Sequence, residues 1–350
     1  VGRVRIVDVA RRAGVSSATV SRVLANKPYV RPELRQRVLA AAQELGYRPS
    51  RVARTLRTQR ARIIGLLISD IENPFFTSLV RAVEDVAYAH DYAVFLCNTD
   101  ENPEKEQLYL DLMVAERVTG VLISPTREQG VDCQGLQQAQ IPLVAVDRRL
   151  RDRRVDTVVV DNVGGARRLV EHLLDDGYRE IGAILPPPTI TSGRERYQGL
   201  WEALHHRGLE PRSAWIRTGP PVQAEGYRLA REILGRHPRP QALFVGNNLL
   251  TMGALRAIRD LGLSIPGDVA LVAFDDMDWM ALVNPGLTVM AQPTYELGRA
   301  AAELLLRRLE DPDRPVEEVL LTPELRIRQS CAPHLGAGRP RGEVRASGQG

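Results

Sequence analysis

The sequence predicts an α/β chain in which a small three-helix head precedes two doubly wound parallel-sheet halves in tandem. Three observations carry this reading. Residues 7 to 24, VDVARRAGVSSATVSRVL, show helical periodicity broken once by a glycine. From Arg62 onward short apolar runs alternate with helical stretches, and the alternation occurs twice. At 350 residues the chain is also long for a single core.

In the head, Val9, Ala10 and Ala13 fall on one apolar face. Gly14 can take the left-handed conformation that stops a helix, and Ser16 can cap the next one. The second helix turns Val20, Val23 and Leu24 inward and Ser17, Ala18, Ser21 and Arg22 outward. Small outward residues let a helix approach a DNA major groove closely. The hydroxyls of Ser16, Thr19 and Ser21 suit phosphate oxygens, and Arg22 suits the O6 and N7 edge of guanine. A third helix follows, with Pro32 in its first turn, Leu34, Val38, Ala41 and Leu45 on one face, and Gly46 at its end.

Charge separates a DNA-reading head from an ordinary helical hairpin. Residues 1 to 62 hold fifteen Lys or Arg against three acids, a formal +12, which leaves −8 on the remainder of a chain whose total is +4. That asymmetry points to double-stranded nucleic acid as a partner of the head. The basic stretch RPSRVARTLRTQRAR then links head and core. Val52 and Leu56 form only a narrow apolar stripe on what would be a very short helix, unstable alone in water.

The core strands read as RIIGLLIS, YAVFLCN, GVLISP and PLVAVD, then TVVVD, IGAIL, ALFVG and VALVAF. Ligands in such sheets bind beyond the carboxyl ends of the strands. Asp70 to Phe76, Asp147, Asn247 and Asp275 occupy those positions. Each has a structural alternative: the aspartates can cap turns and Asn247 can close its own loop. Phe75 and Trp279 can supply an apolar wall, Trp279 serving equally well as core, whereas Phe76 reads as core.

Composition bounds the remaining classes. No apolar run approaches the roughly 20 residues that span a bilayer, and the start of the chain lacks a signal-peptide core, so a cytoplasmic location without membrane contact is expected. Cys97, Cys133 and Cys331 are odd in number and widely spaced, which suggests neither a disulfide framework nor a zinc site. No Walker loop, no GxGxxG after the first strand and no Ser, His and Asp constellation appears, so neither catalytic residues, a cofactor nor a metal is expected.

The segment VDVARRAGVSSATVSRVLANKPYVRPELRQRVLAAAQELGYRPSRVARTL resembles the LacI/GalR family of bacterial transcription regulators. The resemblance continues through ISDIENPFF, GVLISP, VAVDRR, VVVDNVGGARRLVEHLLDDGYREIGAI, RERYQGL, ALFVGNN and VALVAFDD, covering residues 5 to about 330. It implies a helix-turn-helix domain over 1–48, a hinge helix and linker over 49–61, and a periplasmic-binding-protein-like (type I) core over 62–330. The implied N-subdomain comprises 62–161 and 291–323, the C-subdomain 162–290 and 324–330, and 331–350 reads as a disordered tail.

The resemblance also implies that two hinge helices pair in the minor groove and insert Leu56 between base steps, where Arg51 and Ala53 accompany it. The alternative is a basic flexible linker whose arginines touch only phosphates. The implied DNA set is then Ser16, Ser17, Ala18, Thr19, Ser21, Arg22, Asn26, Arg51, Ala53 and Leu56. Arg196, in RERYQGL, corresponds to a ligand-contacting arginine, although a structural salt bridge is the common role for an arginine on a helix. The implied effector set is Phe75, Asp147, Arg196, Asn247, Asp275 and Trp279.

Some positions depart from the family pattern. Arg5 stands where a capping Thr is usual, Ser50 where Asn is common, Asn248 where Asp is common, and Pro221 where some sugar-binding members carry an aromatic residue. The expected protein is a homodimeric repressor of a pseudo-palindromic operator, controlled by a sugar-like effector. A purine-like corepressor or a phosphoprotein partner is the alternative within the family. A solute receptor or a nucleotide-dependent enzyme is the alternative outside it.

Overall fold

The computed structural model describes residues 4–24, 29–47, 62–151 and 154–331. The chain divides into two compact units, residues 1–61 and 62–350.

In the first unit, α1 (Ile6–Ala13), α2 (Ser17–Leu24) and α3 (Pro32–Glu44) enclose Val9, Ala10, Ala13, Val20, Val23, Val38, Ala41 and Ala42. Gly14 adopts φ 62° and ends α1, as a residue without Cβ does at no steric cost. A Cβ there would also come within 2.8 Å of Arg37 Nη2, which donates to the Ala13 carbonyl at 2.6 Å. Ser16 caps α2, its Oγ accepting from the Thr19 N–H at 3.2 Å. Arg5 has no side-chain acceptor to offer α1. The Asp8 carboxylate nevertheless accepts from the Arg5 backbone N–H at 2.8 Å, the reciprocal half of a capping box.

The second unit begins with β1 (Ile63–Ile68), α4 (Pro74–Ala89), β2 (Ala93–Asn98), α5 (Pro103–Ala115), β3 (Gly120–Ile123), α6 (Gln134–Gln138), β4 (Leu143–Val146) and β5 (Asp156–Val160). It continues through α7 (Asn162–Asp175), β6 (Ile181–Leu185), α8 (Thr191–His206), β7 (Ile216–Thr218), α9 (Gln223–Leu234), β8 (Ala242–Val245), α10 (Asn248–Asp260), β9 (Ala270–Phe274), α11 (Asp278–Leu282) and β10 (Thr288–Ala291). The last elements are α12 (Thr294–Glu310), β11 (Glu318–Leu321) and β12 (Glu324–Arg326).

Two six-stranded sheets result, in the orders β11-β5-β4-β3-β1-β2 and β12-β10-β9-β8-β6-β7. Each contains the doubly wound 2-1-3-4-5 order plus one added edge strand. All pairings are parallel except β12 against β10, where Met290 faces Leu325. The chain therefore passes between halves after β5, after β10 and between β11 and β12. Helices α4 and α12 cover one face of the first sheet, packing Phe76, Leu79, Leu297 and Leu305 against Ile64, Leu122 and Val158. Helices α7 and α8 cover the second sheet in the same way, with Leu169, Leu173, Leu200 and Leu204 against Phe244 and Val272.

Gly199 and Gly298 permit the corresponding helix contacts. A Cβ at Gly199 would lie 2.3 Å from the Val163 carbonyl oxygen, and one at Gly298 would lie 2.4 Å from that of Leu79. Cys331 belongs to this packing. It is buried in the second core with Phe274 and Met290, which corrects its assignment to a disordered tail: hydrogen bonds from Gln329 and Ser330 to the Gly286 carbonyl bind the preceding chain to the sheet. Residues 332–350 lie outside the described residues.

The returning helix α12 is anchored electrostatically. Asp156, at the start of β5, accepts from Arg308 Nε at 2.8 Å, Arg308 Nη2 at 2.9 Å and the Glu317 N–H at 2.9 Å. The carboxylate side chain is 1% exposed. Removing one member of a buried pair leaves the other charge uncompensated. Asp156→Ala is therefore expected to destabilise the core by about 3 kcal/mol, measured as a lowered denaturation midpoint with an unchanged slope.

Candidate functional site

Residues that follow the strand ends of both halves converge on one cavity of about 340 Å³. From the first half come Ser69, Asp70, Glu72 and Asn73, then Phe75 and Phe76 at the start of α4, with Glu101, Asp147 and Arg148; from the second come Pro186, Ser192, Arg196, Pro221, Asn247 and Asp275, with Gln292 just beyond β10. Asp147 and Asp275 are counterparts. Each follows the fourth strand of its half and takes positive φ, 68° and 77°, and each donates its N–H to the fifth strand, at Val158 and Met290.

Arg196 is 3% exposed. Its Nε donates to Asn162 Oδ1 at 2.9 Å, its Nη1 to the Gly246 carbonyl at 2.5 Å, and its guanidinium lies 3.8 Å from the Phe274 ring centre. Burial pulls its pKa down, opposed by the negative charges of Asp275 and Asp147. Burial pushes the Asp147 carboxyl up to about 6, against the pull of Arg148 and Arg196.

Arg148 is held by Glu101 through two bonds, 2.7 and 2.6 Å, leaving its buried Nε without a hydrogen-bond partner. Asp275 accepts from the Asn248 N–H at 2.9 Å and from Gln292 Nε2 at 2.5 Å. Gln292 Oε1 is likewise buried and unpartnered. Arg148 Nε stands 3.6 Å from the Asp147 carboxylate.

Polar contacts join the two halves beside the cavity. Asn73 caps α4 through the Phe75 N–H at 3.0 Å and also accepts from Asn248 Nδ2 at 2.8 Å. An aspartate at position 248 could not make that donation. Thr191 Oγ1 donates to Glu128 at 2.5 Å and accepts from the Arg149 N–H at 2.8 Å, and Arg149 pairs with Glu195 at 2.5 Å.

Two family signatures match the chain: "Bacterial regulatory proteins, lacI family" over residues 5–50, and "Periplasmic binding protein-like domain" over 170–331. A ribose operon repressor of Halalkalibacterium halodurans is 39% identical over 305 residues, 87% of this chain and 90% of that protein. The HTH-type transcriptional repressor PurR of Pasteurella multocida is 33% identical over 332 residues, 94% of this chain and 99% of that one. The chain belongs to the LacI family. Among solved structures, the lac repressor dimer bound to operator and the anti-inducer ONPF superposes with a TM-score of 0.84 at 27% identity, covering 95% of this chain and 100% of that one. The CelR–cellobiose complex superposes at 0.72 with 30% identity, covering 94% and 100%.

For this LacI-family chain, the structure brings Phe75, Asp147, Arg196, Asn247 and Asp275 to one cavity. Trp279 is not among the lining residues. It is half-buried and packs against the second half's core instead. Phe76, expected as core, is core and also reaches the cavity wall. Sequence reasoning missed Arg148 and Gln292. The strand-end rule pointed to the neighbourhood of Arg148, which reads as a second surface arginine in DRR; Gln292 follows β10, a four-residue strand that is not among those read from the sequence. Asn247 spends its Oδ1 on capping α10, accepting from the Leu250 N–H at 2.8 Å.

In the head, Ala18 and Arg22 are exposed on α2, and Ser17, Thr19 and Ser21 are half-buried. Ser16 Oγ lies 3.0 Å from Thr19 Oγ1. One hydroxyl proton of that pair serves the contact and the other can donate outward. Asn26, Arg51, Ala53 and Leu56, with the whole 49–61 hinge, lie outside the described residues.

No helix of the described residues is long and apolar enough to cross a membrane.

The raised Asp147 pKa makes a signed prediction. A carboxyl that binds its proton more tightly when folded loses stability as pH rises from the unfolded value near 4 to about 6, and is level above that. The thermal midpoint of the wild type relative to Asp147→Asn should therefore fall across that window. An invariant difference would remove the burial argument.

Proposed function

We propose that this chain is a non-enzymatic, homodimeric transcriptional repressor that reads operator DNA with α2 and is switched by a neutral, hydroxyl-rich effector of the sugar class. Residues 1–48 would form the reading head, 49–61 the hinge and 62–331 the effector core. The observation that carries the effector class is the charge balance of the cavity. Six carboxylates line it, from Asp70, Glu72, Asp100, Glu101, Asp147 and Asp275, against the guanidinia of Arg148 and Arg196, and Arg148 is already paired. Such a wall repels phosphorylated or carboxylated ligands and accepts from hydroxyl donors.

Support for the rest is of two kinds. The curated relatives are repressors, and solved neighbours include complexes with operator, with cellobiose and with ribose. Small residues and one arginine on the outward face of α2 suit entry into a major groove, while the hydroxyls of Ser16, Thr19 and Ser21 suit flanking phosphates. Phe75 and Phe76, a T-shaped pair at 5.0 Å, favour a purine base as the second effector reading, since aromatic faces stack on bases as well as on sugar rings.

Effector binding between two hinged halves can change their relative population, and with it the geometry offered to the head. The deciding experiment is selection of DNA from a random pool, repeated with neutral sugars, sugar phosphates and purine bases. A pseudo-palindrome lost or strengthened only with a neutral sugar supports the proposal, and no enriched motif under any condition overturns it. Arg22→Ala should cost about 1–3 kcal/mol on the preferred operator and relax one base position. Arg196→Ala and Asp275→Asn should abolish the effector response while DNA affinity is retained.

A further inference from the structure

A second cluster of chemistry-bearing side chains lies in the C-terminal half, and none of its members lines the cavity. His172 sits on the last turn of α7, Asp176 directly follows that helix, and Cys331 enters from a segment 159 residues away. His172 Nε2 stands 3.3 Å from Cys331 Sγ and 3.6 Å from Asp176 Oδ2. All three ligand atoms lie within 4.8 Å of one another.

We infer that His172, Asp176 and Cys331 form a binding site for a divalent cation of the zinc class. Zinc bonds of about 2.3 Å to sulfur and about 2.0 Å to nitrogen or oxygen place tetrahedral ligand atoms about 3.3–3.6 Å apart. Tetrahedral edges run about 3.6 Å from nitrogen to sulfur and about 3.3 Å from nitrogen to oxygen; the measured 3.3 and 3.6 Å fall on the short and the long side of these, and the sulfur-to-carboxylate edge is within 4.8 Å. Hydrogen bonding alone accounts for the cluster less well. One ring nitrogen facing both a sulfur and a carboxylate has a single proton or a single lone pair to divide between them, whereas a cation takes a lone pair from each group.

The donor set selects the ion. A thiolate and an imidazole favour zinc, or cobalt as its substitute, over magnesium and calcium, which demand oxygen ligands. Thiolate, carboxylate, neutral imidazole and M²⁺ together carry no net charge. Thr288 supplies outer support. Its Oγ1 accepts from the Cys331 thiol at 3.2 Å and from the Arg328 N–H at 2.9 Å, and donates to the Arg328 carbonyl at 3.2 Å; turning that proton to the sulfur would support a thiolate.

Two ligands stand on rigid elements. Ser330, beside Cys331, accepts from the Thr288 N–H at 2.8 Å and donates to the Leu271 carbonyl at 2.5 Å. The fourth position is left to solvent. A cation here fastens the end of the core to the far end of α7, the helix whose first residue, Asn162, holds Arg196.

The test is titration of the reduced, full-length chain with cobalt, read by the thiolate-to-cobalt charge-transfer band and the visible bands of tetrahedral cobalt. One equivalent is expected to bind, and zinc is expected to bleach the bands. Cys331→Ser should lose the charge-transfer band. His172→Ala and Asp176→Asn, both partly exposed and expected to fold, should weaken binding at least about tenfold. Cys97→Ser and Cys133→Ser should leave the spectrum unchanged. Absence of the band at millimolar cobalt, or its persistence with unchanged affinity in both Cys331→Ser and His172→Ala, overturns the site.

Discussion

The arrangement of the core turns on a permanent positive charge kept out of water. Arg196 cannot shed its proton at any ordinary pH, so its burial must be compensated by fixed groups. The compensation comes from elements far apart in sequence: an amide at the first crossover, a carbonyl at the end of β8, the ring of Phe274, and the fields of Asp147 and Asp275 from opposite halves. The cost of a buried ion thus ties strand ends of both sheets to a common centre.

That centre lies where topology permits a ligand. Each sheet reverses its strand order between its first and third strands, which opens a crevice beyond the carboxyl ends. Across the crevice the halves meet through amides, hydroxyls and ion pairs, as in Asn248 with Asn73, Thr191 with Glu128 and Arg149 with Glu195. Bonds of this kind exchange with water at small net cost. Three backbone crossings keep the halves registered while these contacts make or break, so a ligand that bridges Asp147 and Asp275 has leverage on the angle between them.

Local signals in the sequence reach a long way here. Helical period, the Gly14 break and the Ser16 cap mark the head. Short apolar runs mark most of the core strands, and the rule that ligands sit after parallel strands singles out Asp147, Asn247 and Asp275. These signals are legible because each arises within a few residues, from backbone conformation, capping or the in-out alternation of side chains. The crossovers and the role of Arg196 needed the family resemblance, because periodicity records neither which sheet a strand joins nor where an arginine points.

Tertiary packing settled the rest. Trp279 and Phe75 are equivalent as apolar residues near strand ends, yet one lies on a core and the other on the cavity wall. Arg148 and Arg149 are neighbours in one motif, but Glu101 draws the first inward and Glu195 and Glu318 hold the second. Asp8, and not the capping residue, closes the start of α1. Cys331 meets His172 only because β12 carries the chain back across the second sheet. In each case the deciding partner is distant in the chain, and a contact of that kind leaves no mark on the spacing of the residues that make it. The chain order of residue types was enough for the elements, the division of charge and the family; which side chains share a cavity, a charge or a cation was set by folding, where desolvation leaves each buried polar group to find its partner.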